Sequence, residues 1–380
     1  MKKRYGLAAY LAGAVAARVG DEMSGPALML AGFAVTGSAA AGSALLAGVT
    51  IAAVVGGPVL GLALDRVERP GWLLAGALCL HGGGLALVLL GLGRVPFAVV
   101  LGLAVVAGVT GPAVAGGWTA QLPRVVPGGV PGRAIALDAM TFGAASLAGS
   151  ALAGGVAQGM GAAGAVVVAE VLIWAAVPVA LGLPRASAGR EAAGGGFAAG
   201  VRFVLGNPAL TRATFTSVSC CVAQGVLTAC VPLLGERVLG GAARGAVLLS
   251  CAAGAGLVAN AVPPRLVMAP DAVIRLGAVV QAAGLALAAT AGRPAVLVGA
   301  ALLIGAGEGP QLTALFAVRH RESPDRLRGQ IFTTGASVKI TGFAVGAALA
   351  GPLAARSLPG ALLLAAGVAA VACLRRSGRV

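Results

Sequence analysis

Twelve apolar runs, each about as long as the 20-residue helix that crosses a hydrocarbon core, constrain this chain more than anything else in it. They fall at 6–34, 38–64, 71–93, 95–120, 134–159, 162–184, 209–235, 243–263, 271–291, 294–318, 329–353 and 357–374. In lipid each backbone N–H and C=O must be satisfied within the structure itself, and an apolar run of this length does so as an α-helix. The expectation is an all-α integral membrane protein of twelve transmembrane helices. Of the 380 residues, 58% are hydrophobic and 10% are charged. A water-soluble domain carries roughly a quarter charged residues, so lipid is the solvent this composition fits. The 62 glycines fit it too, because small-xxx-small faces such as GAALAG at Gly346 let helices approach closely.

The chain begins MKKRYGLAAYLAGAVAA, basic residues before an apolar stretch, as a signal peptide does. The run then continues through Arg18, Asp21 and Glu22 into a second apolar half, which reads as an uncleaved first span. A formal net charge of +15 would suggest nucleic acid in a soluble chain, so the placement of the charges has to decide. With alternating spans and a cytoplasmic N-terminus, twenty basic residues fall inside. Five fall outside (Arg94, Arg237, Arg244, Arg293 and Arg356), and Arg18 and Lys339 lie within spans. That asymmetry follows the positive-inside rule and puts both termini in the cytoplasm. The expected setting is the cytoplasmic (inner) membrane of a bacterium, with the lipid bilayer and not nucleic acid as partner.

Cys79, Cys220, Cys221, Cys230, Cys251 and Cys373 sit in or beside apolar runs without C-x-x-C spacing and read as small buried hydrophobes. His81 and His320 are the two histidines, too little material for a metal site. No cofactor is expected.

The stretch PRASAGREAAGGGFAAGVRFVLGNPAL divides six runs from six, giving an N-terminal bundle at 1–184, a cytoplasmic central loop at 185–208 and a C-terminal bundle at 209–380. The halves echo each other. GPAVAGGWTAQLPRVV at Gly111 answers GPQLTALFAVRHRE at Gly309, and GSALAGG at Gly149 answers VGAALAG at Val345, an offset of 195 to 198 residues. Such a repeat suggests a duplicated six-helix unit with a central cavity between two bundles.

Where the second run ends, GPVLGLALDRVERP carries G-x-x-x-D-R-x-x-R on Gly61, Asp65, Arg66 and Arg69. This resembles the signature loop of the major facilitator superfamily, and the twelve spans, central loop and repeat agree with it over nearly the whole chain. The resemblance implies two pseudo-symmetric six-helix bundles. It also implies a cytoplasmic gate at these four residues that stabilises an outward-facing state, with Arg66 and Arg69 bracing the bundles; ordinary topology charges are the alternative for the two arginines. The family's antiporter motif in the fifth span is only faintly present: Gly149, Ser150, Gly154 and Gly155 remain, but the proline is lost and the spacing is one residue longer.

Ionisable groups inside the membrane are expensive, so they pair, face a cavity or do work. Arg18 lies about 16 Å into the first span, with Asp21 and Glu22 on the same face at spacings of three and four. Proton coupling or substrate contact and a neutralised structural pair are both open for them. Glu308 and Lys339 lie about 15 Å deep in the tenth and eleventh spans, a candidate pair at equal depth. Asp138, shallow in the fifth span, is expected beside the gate with Arg66 or Arg69. Glu170 with Trp174, and Gln121, Gln158, Gln224, Asn260, Gln281 and Gln311, are candidate polar linings or interhelical hydrogen bonds.

The sequence holds no G-x-S-x-G, metal spacing or P-loop lysine, so neither an enzyme nor an ATP-driven pump is expected. The family resemblance, with mostly apolar spans and short loops, points to proton-coupled efflux of a moderately hydrophobic drug or secondary metabolite by alternating access, from a monomer. Proton-coupled uptake of a small metabolite and a non-transporting scaffold are the alternatives.

Overall fold

Lipid leaves an apolar run no hydrogen-bond partner outside itself, and the structure answers with helices throughout. The computed structural model describes residues 6–126, 130–185, 196, 198–261 and 268–374. Its α-helices are α1 (Leu7–Thr36), α2 (Ala39–Ile51), α3 (Ala53–Arg66), α4 (Pro70–Gly91), α5 (Phe97–Gly108), α6 (Leu122–Val125), α7 (Gly132–Ala175), α8 (Val177–Leu181), α9 (Ala199–Gly206), α10 (Pro208–Leu239), α11 (Ala246–Ala261), α12 (Pro270–Thr290), α13 (Pro294–Glu322), α14 (Arg328–Arg356) and α15 (Leu358–Leu374). A π-helical turn, Ala113–Gly117, follows α5.

Among the described residues, eight helical stretches are long and apolar enough to cross a membrane. One of them, Gly132–Leu181, is 50 residues long, twice the length of a single crossing. It breaks at Gly161, where φ is +79° and ψ 165°, a conformation that only glycine adopts without strain, and so supplies two crossings. Helix α1 adds another although it carries Arg18, Asp21 and Glu22, and the shorter apolar helices α11 and α15 complete the set. The described helices therefore form a twelve-crossing, all-α membrane protein built as two six-helix bundles.

Contacts divide the chain into two units. The first holds residues up to Phe203 together with Ser323–Ser337, and the second holds Val204–Glu322 with Val338–Val380. The start of α14 thus belongs to the first unit and its remainder to the second. Within the first unit α1 lies against α7 and α2, and α4 against α5 and α7. Within the second, α12 packs on α13 and α15, α10 on α15, and α11 on α13. Lipid tails are as apolar as leucine, so these interfaces gain little from hydrophobicity and depend on close packing of small side chains. The second unit's core shows this: Ala223, Ala278, Ala282, Ala300, Ala365 and Ala369 are all buried in it.

Of the expected central loop, α9 is helical, while residues 186–195 and 197 lie outside the described residues. So do Lys2, Lys3, Arg4, Arg190, Arg265, Arg375, Arg376 and Arg379 of the charge asymmetry.

Candidate functional site

The middle of α1 faces α7 and the turn after α5, and there the first unit buries an ion pair. Arg18 Nη1 lies 3.0 Å from Asp138 Oδ1, with the side chains 3% and 0% exposed. Both terminal nitrogens of Arg18 and both carboxylate oxygens of Asp138 have further partners. Nη1 also donates to the Asp138 carbonyl (3.1 Å) and to the Thr141 hydroxyl, and Nη2 donates to the Thr119 hydroxyl (2.8 Å). The Tyr10 and Thr119 hydroxyls donate to the two carboxylate oxygens at 2.9 and 2.8 Å. The guanidinium carbon stands 3.8 Å above the centre of the Phe142 ring, a cation–π contact that desolvation strengthens. The π-helical turn contributes as well, since the Ala115 carbonyl lies 3.4 Å from Arg18 Nη2. Such turns loosen the regular ladder and free carbonyls for other donors.

This arrangement differs from the one expected. The i, i+3 and i, i+4 spacing aligns Arg18 with Asp21 and Glu22, yet its carboxylate partner comes from α7, where Asp138 is fully buried. Asp138 consequently stands with Arg18 and not with Arg66 or Arg69. Asp21 meets His81 of α4 instead, Oδ1 to Nε2 at 3.2 Å. The other ring nitrogen, Nδ1, lies 3.0 Å from both the Ala107 carbonyl and the Thr110 hydroxyl. Glu22 is exposed, and its Cβ runs so close to Gly149 of α7 that a methyl there would sit 2.7 Å from it. The fifth-span glycine kept from the faint antiporter motif is thus where α7 grazes the acidic stretch of α1.

The signature loop shows what Asp65 does. Helix α14 starts with backbone N–H groups that have no partner inside the helix, and the buried Asp65 carboxylate accepts two of them, from Gly329 (2.7 Å) and Gln330 (2.8 Å). Along the same contact the Thr333 hydroxyl donates to the Gly57 carbonyl (2.6 Å) and the Ser337 hydroxyl to the Ala53 carbonyl. Gly61 makes the approach possible, because a Cβ there would sit 2.6 Å from Gln330 Cα. Arg66 and Arg69 are exposed, and neither pairs with a described acidic residue.

In the second unit, Glu308 and Lys339 do not form the expected pair. Both Glu308 oxygens accept from Gln224 Nε2, at 2.9 and 2.8 Å, and Lys339 is half-buried on α14. Gln281 donates to Gln311 (2.9 Å), which donates to the Ile274 carbonyl (3.0 Å), and Thr313 donates to Asn260 (2.9 Å). These glutamines and the asparagine therefore join helices. Glu170 is buried on α7, while Trp174 is exposed on the same helix.

Sequence reasoning missed Tyr10, Thr119, Thr141 and His81. Tyr10 interrupts an Ala- and Leu-rich stretch two turns before Arg18, a usable signal. His81 was set aside for lack of metal-binding companions, although a histidine alone in an apolar run also serves proton chemistry. No group of three or more potential metal ligands occurs among the described residues.

No protein-family model matches the sequence, and no curated protein is similar to it in sequence. Solved structures do resemble it. The human organic anion transporter TETRAN aligns with TM-score 0.78 at 12% identity, over 98% of this chain and 99% of its own. The fucose:proton symporter of E. coli aligns with TM-score 0.76 at 14% identity, over 99% and 100%. A proton:xylose symporter of the major facilitator superfamily aligns with TM-score 0.72 at 14% identity, over 98% and 94%. The chain has the major facilitator fold.

Proposed function

We propose that this protein is a secondary active transporter that exports a moderately hydrophobic small molecule, a drug or secondary metabolite, in exchange for protons across the cytoplasmic membrane. The observation that carries the reading is the fully buried Arg18–Asp138 pair with its ring of hydroxyl and aromatic partners, set inside a bundle of a fold whose solved examples carry solutes. A scaffold would have no use for charges placed at such expense in a membrane interior. In this reading Asp65 is the latch of the cytoplasmic gate: its two charge-assisted bonds hold the first turn of α14 and must open during each alternating-access cycle. Gly61 sets how closely that latch can seat, and Arg66 and Arg69 serve topology and the lipid surface. Arg18, Asp138 and Asp21 form the coupling region of the first unit. Glu308 with Gln224, and Lys339, supply polar contacts for substrate in the second.

Export is favoured by the scarcity of charge along the described spans, which suits an amphiphilic cargo entering from lipid. Proton-coupled uptake is the second reading, and two of the similar structures, the fucose and xylose symporters, favour it. The test is accumulation of a panel of fluorescent and antibiotic compounds in an exporter-deficient bacterium expressing the protein. Lower accumulation that a protonophore abolishes, and that Asp65→Asn and Asp138→Asn lose, supports export. Unchanged or raised accumulation of every compound overturns export and turns attention to uptake of small metabolites.

A further inference from the structure

Asp21 and His81 meet inside the first unit, and the hydrogen bonds of the imidazole determine how many protons the contact holds. The ring is fully buried, whereas Asp21 is 29% exposed. Nδ1 lies 3.0 Å from the Ala107 carbonyl and 3.0 Å from the Thr110 hydroxyl, and that hydroxyl itself donates to the same carbonyl at 2.7 Å. A carbonyl oxygen only accepts, so Nδ1 carries a hydrogen; without one, two lone pairs would face each other in a dry interior. A neutral ring protonated at Nδ1 presents a bare lone pair at Nε2. What Nε2 faces is the Asp21 carboxylate at 3.2 Å, outside hydrogen-bond geometry, and it has no other partner among the described residues. Lone pair against carboxylate is repulsive unless one proton is present, on Nε2 as imidazolium or on Asp21 as the acid. Either form leaves the contact with no net charge, which the membrane interior favours.

No neighbour among the described residues supplies the missing charge. Of the elements packed on α4, the π-helical turn, α5 and α8 carry no charged residue. Helix α3 carries Asp65, bound to α14, and the exposed Arg66. Helix α7 carries exposed Arg133, Asp138 bound to Arg18, and buried Glu170. Helix α1 carries Arg18, engaged with Asp138, Glu22, which is exposed, and Asp21. Among the described residues, Asp21 alone is in ionic contact with His81.

We propose that Asp21 and His81 form a one-proton binding site within the first unit, loaded through the partly exposed Asp21 carboxylate. The use of that proton to drive transport rests on the transport reading above; the existence of the site does not.

The test needs no substrate. The full-length protein is labelled with 15N-histidine, and the two imidazoles are separated by comparison with His320→Gln. The expected spectrum at neutral pH shows His81 Nδ1 protonated. The extra proton then appears either as a protonated Nε2 or, in the infrared, as a carboxylic-acid carbonyl band, and Asp21→Asn loses whichever is seen. An unprotonated Nδ1 overturns the proposal, as does a neutral Nε2 with no acid band sensitive to Asp21→Asn. If Asp21→Asn fails to fold, an unprotonated Nδ1 in the wild type still overturns the proposal, and Asp21→Glu must shift the acid band or the Nε2 signal. A protein that shows the proton but moves no compound in the accumulation assay overturns the export reading and leaves the site standing.

Discussion

Replacing Asp138 by alanine strips the buried Arg18 guanidinium of its counter-charge, and the geometry sets the size of the effect. Removing one partner of a buried ion pair costs about 3–5 kcal/mol, because the other charge stays desolvated and uncompensated. Arg18 keeps the Asp138 backbone carbonyl, two threonine hydroxyls and the face of Phe142, so the lower end of that range, about 3 kcal/mol, is expected. Adding Arg18→Met to Asp138→Ala removes the stranded charge. It orphans no hydroxyl, because Tyr10 has the Trp118 carbonyl at 3.2 Å, Thr119 the Ala115 carbonyl at 3.3 Å and Thr141 the Asp138 carbonyl at 2.7 Å. The double variant should therefore be more stable than Asp138→Ala alone, with a coupling energy of about 2 kcal/mol between the two positions. The assay is denaturant unfolding in detergent followed by tryptophan fluorescence, with Trp118, whose ring centre lies 6.0 Å from that of Tyr10, reporting from inside the cluster. Asp138→Ala within 1 kcal/mol of wild type (~1 kcal/mol being ordinary for any substitution), or a double variant less stable than Asp138→Ala, would refute the reasoning.

Three further outcomes follow from the same geometry. Asp65→Ala removes two charge-assisted bonds of about 1.5–3 kcal/mol each, so the Gly329 and Gln330 amides should exchange hydrogen faster by mass spectrometry while peptides of the second unit's core stay unchanged. Gly61→Val should abolish correctly folded protein by size-exclusion profile, because its Cβ would sit 2.6 Å from Gln330 Cα, whereas Gly76→Val, with nothing within 4 Å of its Cβ, should give a wild-type profile. Gln224→Leu should lower thermal stability by leaving the Glu308 carboxylate without its donor, a loss of about 1.5–3 kcal/mol, and adding Glu308→Leu should restore most of it.

The sequence was most informative where one physical rule acts along the chain. Segment length and apolar content dictate helices in lipid, so the twelve crossings could be read directly, including the two that share one unbroken run of helical residues and part at Gly161. Motif spacing marked Asp65 and Gly61 as special, because a short charged knot after an apolar run is rare. It did not show that the Asp65 carboxylate caps α14, a helix that begins more than 260 residues later in the chain.

Partnerships among buried charges were not legible in the same way. Helical spacing placed Arg18 on one face with Asp21 and Glu22, and equal depth paired Glu308 with Lys339; both are one-dimensional arguments. An ion pair depends on how helices rotate about their axes and on which side chains approach from a neighbouring helix. In lipid, with no hydrophobic stripe to set the rotation, small-residue packing decides it. Tertiary structure therefore gave Arg18 to Asp138, Asp21 to His81 and Glu308 to Gln224. The sequence by itself determined the solvent, the helices and the sites where charge had to be compensated; only the packed bundles decided which group does the compensating, because that choice depends on distances of about 3 Å between residues up to 265 positions apart.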